Sequence, residues 1–101
     1  MIIDNMKAGK LHGDRSAVSN TAFVETVIWR VPDPLWARVT IQYRLTLIEG
    51  GRCVLRYDNE AGKGDHKHYG RRQVAYNFTV IERLQSDFNT EVEEWRSRNQ
   101  T

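Results

Sequence analysis

The stretch GKGDHKHYG, residues 62–70, puts Lys63, Asp65, His66, Lys67, His68 and Tyr69 into seven consecutive positions. Arg56, Tyr57, Asp58 and Asn59 come just before it. These groups suffice, in kind, to cleave a phosphodiester in RNA. RNA carries its own nucleophile, the 2′-hydroxyl. An enzyme must then supply a base, an acid and cations to hold the charged phosphorane. Imidazole titrates near neutral pH, so His66 and His68 can supply both proton transfers. Lys63 and Arg56 would hold the phosphate, and Asp65 would orient a histidine or fix its tautomer. Gly62 and Gly64 would let the backbone approach a phosphate and offer N–H donors. Tyr69 could donate a proton or stack on a base. Lys67 adds positive charge, but in an extended segment it points away from both histidines.

Two other readings compete. The stretch is also what a solvated turn looks like, since lysine and glycine are ordinary turn residues. A metal site is the other: His66 and His68 share one face of an extended segment, and Asp58 or Asp65 could add an oxygen. Lys63 and Lys67 would then place positive charge beside the cation, and no cysteine or third nearby histidine completes the set. No metal and no other cofactor is therefore expected. Phosphate contacts without chemistry remain a further option, in which the basic loop only binds RNA, a ribosome or a nucleotide.

Charge supports a phosphate ligand. Residues 38–72 hold eight Lys and Arg against four Asp and Glu, whereas residues 73–101 hold three against five. Clustered basic surface attracts phosphate, although strands facing water carry arginine in any case.

The segment RCVLRYDNEAGKGDHKH, residues 52–68, with VIWRVPDP upstream and YNF plus an amphipathic helix downstream, resembles the TumE family of bacterial toxins. The resemblance runs from about Met6 to Trp95. It implies a growth-inhibiting toxin of a type II toxin–antitoxin system, with an RNA-cleaving mode of action. It also implies a helix-turn-helix antitoxin, encoded beside the toxin, that neutralises it. By motif match the family's functional positions fall on Asp58, Asn59, Lys63, Gly64, Asp65, His66 and His68. One departure is RRQVA, residues 71–75, where the family pattern has acidic residues and a proline. It makes the surroundings of the histidines more basic. The family pattern begins near Met6, so residues 1–5 read as a flexible extension or as the product of an early start codon.

With 101 residues the chain reads as one domain with one modest core. Hydrophobic residues make up 40% and charged residues 28%, and the net charge is +2. No stretch approaches the ~20 apolar residues of a membrane span. The single cysteine, Cys53, excludes an internal disulfide and fits a reducing cytoplasm. It reads as a small apolar strand residue. The partners expected are the antitoxin and RNA, free or ribosome-bound, without a membrane; a homodimer stays open.

The elements that must position these groups read as an antiparallel β-meander of four or five strands packed by one C-terminal helix, an α+β domain. Residues 6–11 read as an edge strand, and HGD at 12–14 and SNT at 19–21 as turns. AFVETVIWRV, residues 22–31, reads as a central strand buried on both faces, ended by Pro32 and Pro34. RVTIQYRLTLIE, residues 38–49, alternates strictly, and Gly50–Gly51 makes a hairpin turn to a strand over 52–57. Arg44 and Arg56 then project from the same side of that hairpin. Residues 66–69 start another strand, interrupted at Gly70 and finished by 74–78. Ile81, Leu84, Phe88, Val92 and Trp95 form a helical apolar stripe. Thr79 and Glu82 suggest a capping box, and Asp87, Glu91, Glu93 and Glu94 a solvated face.

Overall fold

The computed structural model describes residues 9–33, 38–60 and 64–99. Lys63, with Gly62 and Pro34, lies outside the described residues. The elements run β1 (Gly9–Ala17), β2 (Ala22–Asp33), β3 (Arg38–Glu49), β4 (Arg52–Glu60), β5 (Gly64–Tyr69), β6 (Arg72–Ala75) and α1 (Ile81–Asn99). The six strands form one sheet in the order β1-β2-β3-β4-β5-β6, each antiparallel to its neighbour. The chain is thus an antiparallel meander packed by one helix, as the pattern predicts, with six strands instead of four or five.

The additional strands have separate causes. The segment over β1 is polar and exposed along most of its length, so its side chains carry no alternation to read. It is held by backbone pairing along β2, with a bulge between Lys10 and His12. Residues 6–8 of the expected edge strand lie outside the described residues. At the other end Gly70 does not interrupt a strand but turns it, at φ 62°. Only glycine takes that left-handed geometry without strain. β2 also continues through Pro32 to Asp33, where the pattern predicts a break. There Pro32 still pairs with Val39 of β3, and among the described residues the β1 pairing of β2 ends at Arg30.

The clearest prediction, the β3–β4 hairpin, forms through Gly50 and Gly51 at φ 57° and 79°. Both positive values are what a type I′ turn needs. The register shifts between Leu47 and Ile48: Leu47 faces Leu55, but Ile48 faces Cys53. Val54 is the extra residue of a bulge, and the alternation reverses across it. Cys53 is therefore exposed instead of sharing the apolar face with Leu55 and Tyr57.

One face of the sheet presents Ile28, Tyr43, Leu45, Leu47, Leu55 and Tyr57, all buried. α1 covers this face with Leu84, Phe88 and Val92, and Ile81 and Trp95 pack at the edges. Burying each large side chain stabilises by ~1.5–3 kcal/mol. Phe88 meets Tyr57 edge-on, with ring centres 5.5 Å apart. Tyr43 stacks on Phe78 at 5.4 Å. The helix starts one residue later than a Thr79 cap implies. Leu84 N–H donates to the Val80 carbonyl, which makes Val80 the first cap residue.

The other face carries Phe23, Val27 and Trp29, and among the described residues no element covers it. β2 is therefore not buried on both faces, and Trp29 keeps 41% of its surface exposed. The helix is needed on one side only. Phe88→Ala should cost ~3–5 kcal/mol of stability in urea unfolding. Val80→Ala, at a position 55% exposed, should stay within ~0.5 kcal/mol.

Candidate functional site

Antiparallel register turns the strands into rows of side chains. One row on the uncovered face runs Val27, Arg44, Asp58, His66 and Ala75. The next runs Glu25, Thr46, Arg56, His68 and Gln73. Because alternate residues of a strand share a face, β4 places Arg56 and Asp58 beside β5's His66 and His68. Arg44 stands next to Asp58 from β3.

Within this cluster His68 Nε2 lies 3.5 Å from Asp58 Oδ1. Arg56 Nε lies 3.1 Å from Asp58 Oδ2. That nitrogen makes no directed hydrogen bond, so the contact is one of charge. Asp58 thus sits between an arginine and a histidine, using one oxygen on each. The rings of His66 and His68 are 6.4 Å apart at an interplanar angle of 57°. His66, His68 and Arg56 are each partly exposed, although the Arg56 Nε is buried.

Other residues singled out in the sequence go to the helix side. Asp65 accepts a hydrogen bond from the Tyr43 hydroxyl at 2.8 Å and so faces away from His66. Burial and that carboxylate push the Tyr43 hydroxyl far above the usual phenol range, which keeps it a donor. Lys67 pairs with Glu91 at 3.3 Å and lies 5.4 Å from the Tyr57 ring centre and 5.7 Å from that of Tyr69. Tyr69 donates its hydroxyl proton to Glu91 at 2.5 Å. Asn59 spends its side chain on the backbone of β3. Its Oδ1 accepts from Tyr43 N–H at 2.9 Å, and its Nδ2 donates to the Ile41 carbonyl at 2.8 Å. Gly64 opens β5 at φ 78°, so its backbone geometry already calls for glycine. Arg56, Asp58, His66 and His68 are therefore brought together, and Asp65, Lys67 and Tyr69 are not.

Glu91 and Asp87, whose charge suggests a solvated face, instead face the sheet. Glu91 takes hydrogen bonds from Tyr57, Tyr69 and Lys67. Asp87 accepts from Tyr76 at 2.7 Å and from Arg83 at 3.1 Å. The signal lay in spacing: Asp87 and Glu91 follow Leu84 by three and seven residues, on its own helix face. Burial alone raises the Glu91 carboxyl, but the two tyrosine hydroxyls and Lys67 outweigh it and hold it below the ordinary value. Asp87 is lowered chiefly by the Tyr76 hydroxyl. Lys67 is raised, because its bonds to Tyr69 and Glu91 overcome its desolvation.

Beside the histidine cluster lies a groove of about 520 Å³ lined by Glu25, Trp29, Gln42, Arg44, Asp58 and Asn59. It forms where the β3–β4 ladder stops at Arg44 and Asp58. Among the described residues, no three His, Cys, Asp or Glu side chains converge as metal ligands do. Among the same residues, no helix is long and apolar enough to cross a membrane.

A sheet backed by one helix, with histidines, arginines and an aspartate on its bare face, defines a small α+β protein with a cationic sheet-face site. The chain belongs to the toxin TumE family, whose profile matches residues 5–96. It is thus a member of a toxin family of toxin–antitoxin pairs. No curated protein and no solved structure shows significant similarity to it.

The lowered Glu91 carboxyl gives a pH test. Its contribution is complete above its ordinary value of 4.5 and is lost as pH falls through the lower folded value. Glu91→Gln should lower the melting temperature at neutral pH and flatten its decline below that point. Asp87 has the same sign and should leave a residual slope, seen in melts taken from neutral pH downward.

Proposed function

We propose that this toxin is an endoribonuclease that cleaves RNA by acid–base chemistry on the uncovered sheet face. The observation that carries the reading is the pair His66 and His68, held on one face with Arg56 and Asp58 in the adjoining row positions. One imidazole takes the proton of the 2′-hydroxyl as its oxygen bonds to phosphorus. The bond from phosphorus to the 5′-oxygen breaks, and the other imidazolium protonates that oxygen. The products are a 2′,3′-cyclic phosphate and a 5′-hydroxyl. Arg56 and Arg44 steady the non-bridging oxygens. RNA supplies the nucleophile, so the scheme requires no metal.

The orienting role expected of Asp65 passes to Asp58, whose oxygen lies beside His68. Lys63 keeps its expected phosphate role by its place in the motif. Lys67 acts from behind the sheet, through Glu91 and the tyrosines. A helix-turn-helix antitoxin neutralises the toxin in the cytoplasm, and the exposed basic face suits a partner that competes with RNA.

His66→Ala and His68→Ala should each lower RNA cleavage by about 10²–10⁴-fold and abolish growth arrest, with circular dichroism and melting preserved. End analysis of the parent's products should find cyclic phosphate and 5′-hydroxyl. If the parent binds RNA but never shortens it, the chain is an RNA-, ribosome- or nucleotide-binding module instead. Asp58→Asn should lower cleavage at constant stability. Asp65→Ala should lower the melting temperature, because it leaves the Tyr43 hydroxyl without its acceptor, a cost of ~1–3 kcal/mol.

A further inference from the structure

The cleavage scheme uses only the Arg44 and Asp58 end of the groove beside the histidines and leaves Trp29, Gln42 and Glu25 without a role. We infer that this groove is a nucleobase subsite, with Trp29 as its stacking platform, that seats a base next to the scissile phosphate of single-stranded RNA. This deepens the cleavage reading and rests on it.

Three observations lead there. The first is the indole. Trp29 sits on the bare face of β2 opposite Gln42 and lines the groove with 41% of its surface exposed. A large aromatic left open on the uncovered sheet face does not serve the core, which lies on the other side. Its π-face can take any base, as aromatic side chains do in single-strand binding proteins.

The second is the company it keeps. Gln42 offers an amide donor and an acceptor to a base edge, and Glu25 offers an acceptor. Arg44 lines the same groove and pairs across the strands with Asp58, where a phosphate next to the base would lie. The path from Trp29 through Gln42 and Arg44 to Asp58 and His66 therefore runs base, then phosphate, then proton transfer.

The third is shape. At about 520 Å³ the groove falls within the ~300–1,000 Å³ of small-ligand pockets. It lies where the β3–β4 ladder ends at Arg44 and Asp58, and just beyond that point the Asn59 side chain bonds to the β3 backbone in place of a backbone partner. A base lowered there would rest on the indole while its phosphate reached Arg44.

The test measures binding of a labelled short oligouridylate by fluorescence anisotropy, in a His68→Ala background so that the probe survives. Its counterpart with one abasic ribose is the second probe. Trp29→Ala should weaken binding of the intact probe by about 5- to 100-fold and narrow the gap between the two probes. Trp29→Phe should recover much of that loss, and melting temperatures should show that all variants fold. Equal affinity of Trp29→Ala and its parent for the intact probe would overturn the subsite, while cleavage by the wild type would still stand. Equal RNA binding together with lost neutralisation by the antitoxin would overturn it too, and would assign the indole to the protein partner. If wild type cleaves no RNA but the Trp29 dependence of binding holds, the subsite survives and the cleavage reading falls.

Discussion

Among the described residues one helix covers one face of the sheet, and the placement of the candidate site follows from that constraint. Strand geometry alternates side chains between faces, so parity along β5 sorts the dense stretch of reactive groups into two sets. The odd-numbered residues, Asp65, Lys67 and Tyr69, go under α1. The even-numbered ones, His66 and His68, go to the bare face with Arg56 and Asp58. One short sequence thus builds both a structural seam and a candidate site.

The seam is polar where a core of this size would be expected to be greasy. Tyr57 is fully buried, yet its hydroxyl bonds to Glu91 beneath the helix. Buried polar groups cost stability unless satisfied, and here each tyrosine hydroxyl on the seam finds a carboxylate. Lys67 balances the charge of Glu91. Such a network adds direction to the packing. Leucines and phenylalanines could slide along the sheet, but Glu91 and Asp87 must meet particular tyrosines. Removing one partner would leave the others buried without compensation, so the seam holds as a unit.

Much of this was legible in residue order, and the failures are local. β3 was readable because its alternation is strict and Gly50–Gly51 ends it with geometry that glycine favours. The helical stripe was readable for the same kind of reason. β1 was legible only over residues 9–11, because most of the strand meets water and no hydrophobic period marks the rest, so HGD at 12–14 looked like a turn. Cys53 was misplaced because a bulge one residue away reverses the alternation, and Val54 looks like any strand residue. At the site, the histidine pair was visible, and parity already set Lys67 against it. Parity also turns Asp65 away, but that Asp58 stands beside the histidines depends on the β4–β5 register, which residue order does not mark. The carboxylates of α1 were misread because charge suggested water more strongly than spacing suggested the sheet.

Asn59 looks minor beside these groups, but it sets a boundary condition. Its side-chain amide presents one donor and one acceptor to β3, the same pair that a strand's own peptide would present. The sheet can therefore part while its hydrogen bonding stays complete. Aspartate at this position lacks the donor, and leucine, of similar size, lacks both groups. The opening between β3 and β4 thus depends on one functional group, which can change in evolution without altering Trp29, Arg44 or the histidines.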